Sequence, residues 1–186
     1  MTTKFQVKLF LESNASFDVD AAIPVFHSWI RDKKLDELVI DVADYGHVPA
    51  GPGVVLIGHG SDYYVDVEGD RPGLKYSRKR GLEGDAEACL ADAVRRAFRA
   101  AHLLEQEPSL GWKFRTDELQ IRVNDRNAAP NSADTLAALA PAIEKVLGKA
   151  LGGKLAIERT GEPRQLFTAK VTTDAKGTVS DALGRL

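Results

Sequence analysis

The sequence predicts an α+β fold, a mixed or antiparallel sheet with about three helices on one face. Three observations predict it. Several short runs alternate apolar and polar residues with period two, as half-buried strands do. Three longer stretches place apolar residues three and four apart, as one-sided helices do. The two ends of the chain also follow the same strand, helix, strand, strand order. That suggests two pseudo-repeated βαββ units, in halves of about 4–80 and 117–173, joined by a long central helix over about 85–106.

Phe5, Val7, Leu9 and Leu11 alternate with Gln6, Lys8 and Glu12 and predict the first strand; residues 13–16 follow as a loop. Asp18 or Asp20 can cap a helix over 21–33, whose stripe is Ile23, Phe26 and Ile30; Pro24 fits only in its first turn. Leu38, Ile40 and Val42 read as a second strand. The continuous apolar run at 54–57 predicts a strand covered on both faces, interrupted at Gly58-His59-Gly60 by a bulge or bend. Tyr63, Val65 and Val67 alternate in the next strand. After a turn at 68–73 the chain returns through 74–78, at a sheet edge if the charges there are a guide. Asp85 caps the strongest helix, 85–106, with Cys89, Leu90, Ala93, Val94, Ala97, Phe98, Ala101 and Leu104 on one stripe.

A strand at 119–123 comes next, then a helix capped by Asn131 or Ser132 and stopped by Gly152-Gly153. Residues 155–157 and 166–171 read as strands, and the polar tail from Asp174 is expected to fray. The proposed repeat rests on Pro24 and Pro141 in corresponding helices, with Leu38-Val39-Ile40-Asp41 facing Leu155-Ala156-Ile157-Glu158 beyond them.

The 186 residues suit a single domain over 1–186. A formal net charge of -2 argues against nucleic acid as a partner, which calls for a basic excess. The single cysteine, Cys89, allows no disulfide within the chain and suits a reducing compartment. The first residues enter a strand pattern without an apolar leader, and no run approaches the roughly 18 apolar residues that span a bilayer. The expectation is a cytoplasmic chain with no membrane contact.

No HExxH, CxxC, GxSxG or Walker-type loop is present, so no metal site, cofactor or catalytic triad can be named from motifs. The loop over 43–53 holds Asp44, Tyr45 and His47 between two strands that need only a tight turn. An acid, a phenol and an imidazole together suit general acid–base work near neutral pH. His47 and His59 flank one strand and so fall at its opposite ends, which disfavours a shared metal. The turn at 68–73 runs back toward the same end. It would add Asp70 and Arg71 to Asp44, Tyr45 and His47 as a polar-ligand site. Lys75, Arg78, Lys79 and Arg80, with Arg95, Arg96 and Arg99 nearby, form a basic run that suits either an anionic ligand or edge protection. His59, Lys75 and Arg78 therefore join the ligand-binding candidates. The resulting expectation is a non-catalytic module, a homodimer, that binds a small ligand or a protein partner. The alternative is a small metal-independent enzyme using the 43–53 loop.

Overall fold

Alternating residues from eight strands meet in continuous rows across one antiparallel sheet in the computed structural model, which describes residues 4–12, 17–48 and 51–186. The expected loop at 13–16, and positions 49–50 of the 43–53 loop, lie outside the described residues. In chain order the elements are β1 (Phe5–Leu11), α1 (Ala22–Asp32), β2 (Val39–Tyr45), β3 (Gly53–Gly58), β4 (Ser61–Asp66), β5 (Gly73–Arg78), α2 (Ala86–Glu105), β6 (Phe114–Val123), α3 (Ala133–Leu151), β7 (Leu155–Thr160), β8 (Phe167–Thr173) and α4 (Val179–Arg185). The strand order is β2-β3-β4-β5-β1-β6-β8-β7.

Strand period puts successive side chains on opposite faces. One row runs Leu56, Tyr63, Tyr76, Val7, Ile121, Ala169, each opposite the next on its neighbouring strand. Every member is buried, together with Leu9, Leu74, Leu119 and Val171 one row along. This is the face the helices cover. α1 packs on β2 and β3, α2 on β1 and β5, α3 on β7 and β8, and α4 on β6. Each fully buried large side chain contributes about 1.5–3 kcal/mol, so this layer dominates stability.

The helix signals work locally. Asp85 accepts from Ala88 N at 2.8 Å and Ser132 accepts from Thr135 N at 3.2 Å, so both expected caps start their helices. Asp18 caps a 3-10 turn over residues 19–21 rather than α1 itself, and Pro24 falls in the first turn of α1. No described helix is long and apolar enough to cross a membrane.

Three expectations need correction. Strict alternation would put Leu38, Ile40 and Val42 of the 38–42 strand on one face. Val42 does pack against the core, but Leu38 is 66% and Ile40 55% exposed while Val39 is buried. A bulge between Val39 and Asp41 inserts an extra residue and flips the faces. The charged 74–78 segment is no edge: β5 lies between β4 and β1, because its lysine has a carboxylate to meet there. Of the two readings of Gly58-His59-Gly60 the bend holds: residues 59–60 bend between β3 and β4 and close their hairpin. The tail does not fray. Thr178 and Asp181 form a capping box for α4, Val179 and Ala182 are buried, and Arg185 Nη1 donates to the carbonyls of Ala150 and Leu151 at the end of α3, at 3.2 Å each.

The duplicated βαββ unit is not confirmed. In the C-terminal half β8 returns to pair with the opening strand β6. The corresponding β3 pairs with β2 and β4, and β1 takes β5 instead. The extra β4–β5 hairpin makes the halves unequal. Pro141 also lies inside α3, where it leaves the Ala137 carbonyl without its helical donor, unlike Pro24 in a first turn.

Close packing of β5 on β1 is testable. A Cβ at Gly73 would stand 2.2 Å from the Leu9 carbonyl oxygen, whereas one at Gly69, φ 69°, meets nothing within 4 Å. Gly73→Ala is expected to cost about 3 kcal/mol in urea unfolding because it parts two central strands. Gly69→Ala should cost about 1 kcal/mol, the strain of a left-handed alanine. Equal losses would contradict the β1–β5 contact.

Candidate functional site

The face of the sheet without helices carries charge. Its rows include Tyr64, Lys75, Lys8, Gln120, Lys170 and, one step along, Asp62, Ser77, Gln6, Arg122, Thr168. Lys8 on β1 stands directly opposite Lys75 on β5, an arrangement that repels unless an anion intervenes. Asp66 at the end of β4 is that anion. Its Oδ1 lies 2.5 Å from Lys8 Nζ and its Oδ2 2.8 Å from Lys75 Nζ. Lys8 is 3% and Asp66 1% exposed, on a face that no helix covers.

The β4–β5 turn, residues 67–72, provides cover. Glu68 reaches from it to β6, where Arg122 Nη1 and Nη2 each donate to a carboxylate oxygen at 2.7 Å. Arg71 sits over the Phe10 ring, 3.7 Å from its centroid, and donates to Glu118 on β6 at 2.8 Å. Gly69 and Asp70, at φ 69° and 56°, supply the left-handed backbone that bends this strap. Burial lowers the Lys8 pKa, and Asp66 opposes it. The hydrogen bonds from Arg122 and Arg71 hold Glu68 and Glu118 below their usual 4.5. Burial, with Asp62 beside it, pushes Tyr64 up to about 12.

A cleft of about 520 Å³ opens where the strap meets β6 and β8, lined by Glu68, Arg122, Asn124, Arg126, Arg164, Gln165, Leu166 and Thr168. Lys8, Arg71, Lys75, Lys79, Arg122 and Lys170 each have a carboxylate partner. Among the described residues Arg126 and Arg164 have none within 4.0 Å; Arg126 Nη1 donates instead to the Arg164 carbonyl at 3.1 Å. Three arginines against one glutamate leave the cleft with a formal charge of +2, on a chain whose net charge is -2.

The residues singled out in the sequence are dispersed. Asp44, Tyr45 and His47 are exposed, and Asp44 Oδ1 accepts from Gly46 N at 2.8 Å within its own turn. Asp70 is exposed and Arg71 faces Glu118. Among the described residues no hydrogen bond or ion pair joins either to Asp44, Tyr45 or His47. Pairing of Tyr45 with Gly53 and of Val39 with Gly58 puts His47 and His59 at opposite ends of β3. Exposed His59 is held by its backbone, which accepts from Arg80 Nε at 3.0 Å and donates to the Leu38 carbonyl at 2.8 Å.

Lys75 is held by Asp66, and Arg78 lies 3.8 Å from Asp92. With Lys79 on Asp62 and Arg96 on Asp92, the basic run is largely neutralised by internal partners. Beside it Glu37 accepts from Tyr63 Oη at 2.5 Å, from Ser61 Oγ and from Arg96 Nη1 at 3.3 Å. The adjoining cavity of about 10 Å³ leaves no room for a ligand, so this network ties α2 to the sheet. Among the described residues no three His, Cys, Asp or Glu side chains gather as metal ligands. Sequence reasoning missed Lys8, Asp66, Glu68, Arg122, Arg126 and Arg164. Only the charges at alternate positions of adjacent strands could have signalled Lys8, Asp66 and Arg122.

Two stability predictions follow from this face. Asp66→Ala strands Lys8 without a carboxylate and should cost about 3–5 kcal/mol in urea unfolding at neutral pH. Lys8→Met leaves Asp66 bound to Lys75 and should cost clearly less; the reverse order would contradict the bridge. Glu68 and Glu118, with folded pKa values below 4.5, contribute stability that is present above that pH and lost as pH falls through the lowered values. Glu118→Gln should therefore narrow the stability difference between pH 7 and pH 3 in acid unfolding, and an unchanged difference would speak against the Arg71 pair.

No family model, curated protein or solved structure matches the chain, so the chemistry of the cleft rests on its own side chains.

Proposed function

We propose that the chain is a non-catalytic binding module that holds a small acidic molecule in the cleft between the strap and the β6–β8 end of the sheet. The observation that carries this is the pair Arg126 and Arg164. They line an open cleft without a carboxylate partner among the described residues, on a face where Lys8, Arg71, Lys75, Lys79, Arg122 and Lys170 are matched. A guanidinium offers a planar fork of donors suited to carboxylate or phosphate. The cleft volume lies in the range of small-molecule sites. The enzymatic alternative has less support. Asp44, Tyr45 and His47 share neither this cleft nor a hydrogen bond with one another among the described residues.

Thermal unfolding in the presence of small molecules at constant ionic strength tests the proposal. Orthophosphate, pyrophosphate or citrate at about a hundred times its Kd should stabilise by about 2.7 kcal/mol, a rise in Tm of about 5–10 °C. Arg126→Gln/Arg164→Gln should abolish the rise. Stabilisation by neutral sugars or organic cations instead, or an equal rise in the double variant, would sink the assignment.

A further inference from the structure

We infer that the cleft takes a small non-aromatic polyanion with at least two acidic groups, and that the Glu68 carboxylate occupies the place of one of them. The inference rests on the binding-module reading and specifies its ligand. Glu68 is the single carboxylate among the residues lining the cleft, and it engages Arg122 with both oxygens at 2.7 Å, the two-pronged geometry an incoming carboxylate or phosphate would adopt.

It is also built to leave. Glu68 comes from the turn between β4 and β5, outside both strand ladders, and is about half exposed, so its departure breaks no sheet hydrogen bond. A second cation waits for it: Lys75 Nζ already lies 3.8 Å from Glu68 Oε2. One acidic group of the ligand would then take Arg122 while the other meets Arg126 and Arg164. No aromatic side chain lines the cleft, so a nucleobase would lack a stacking surface. Phosphate and carboxylate share the recognition chemistry, and the source is separated by the probe.

Isothermal titration at fixed ionic strength with pyrophosphate, citrate, orthophosphate and acetate, on wild type, Glu68→Gln and Arg122→Gln, tests this. Pyrophosphate or citrate should bind wild type about tenfold tighter than orthophosphate or acetate, the better of the two naming the acid class. Removing the internal competitor in Glu68→Gln should tighten that polyanion about fivefold to tenfold and leave the single-group anions unchanged. Glu68→Ser, which also lacks the carboxylate, should move the same way. Arg122→Gln should erase the preference for two acidic groups.

Unchanged or weaker polyanion binding in both Glu68 variants overturns the inference. So does wild-type binding of acetate as tight as that of citrate. If binding in either case still needs Arg126 and Arg164, the module reading survives without it. If no anion binds wild type or Glu68→Gln, both fall.

Discussion

Asp66 is the group on which the helix-free half of the protein depends. Two lysines on adjacent central strands, Lys8 and Lys75, face each other across the β1–β5 ladder, and without a carboxylate between them the pairing would carry like charges at van der Waals range. Asp66 satisfies both at once. It can do so because β4 lies next to β5 and its last residue pairs with Gly73, whose missing side chain lets the β1 backbone approach closely. One carboxylate thereby ties the β4–β5 hairpin to β1, which is distant from it in sequence.

Burying that triad has a consequence for the surface. A charged lysine out of water is costly unless its cover is polar as well, and the strap provides such a cover through Glu68 and Arg71, both anchored on β6. The strap uses a carboxylate to hold down one side and a guanidinium to hold the other. Charge matching then extends across the sheet until it reaches Arg126 and Arg164, where it stops. The cleft is positive because Glu68 is the one carboxylate among its lining residues, against three arginines.

The opposite face shows how stability and recognition are divided. Helices α1 to α4 cover one row after another of apolar side chains, and the 85–106 helix expected from its stripe lies over the central strands β1 and β5. This layer needs only hydrophobic periodicity and caps, which are local in sequence. Asp85, Ser132 and the alternation of Phe5, Val7 and Leu9 were legible for that reason. The capping box at Thr178 and Asp181 was equally local, but the segment is short and polar, and its burial comes from α2 and α3.

The sequence by itself determined the class of fold, the positions of the three long helices and the alternation that separates an apolar from a charged sheet face, because each depends on residues within a few positions of one another. Tertiary structure alone decided strand order and ion pairing. The bulge that turns Leu38 and Ile40 outward, the central place of β5 and the meeting of Glu68 with Arg122 all depend on which strands become neighbours. Neighbour choice balances charge and volume over the whole sheet, and no local pattern encodes it. The candidate cleft lies where long-range pairing leaves Arg126 and Arg164 without a carboxylate among the described residues, a place no local pattern marks.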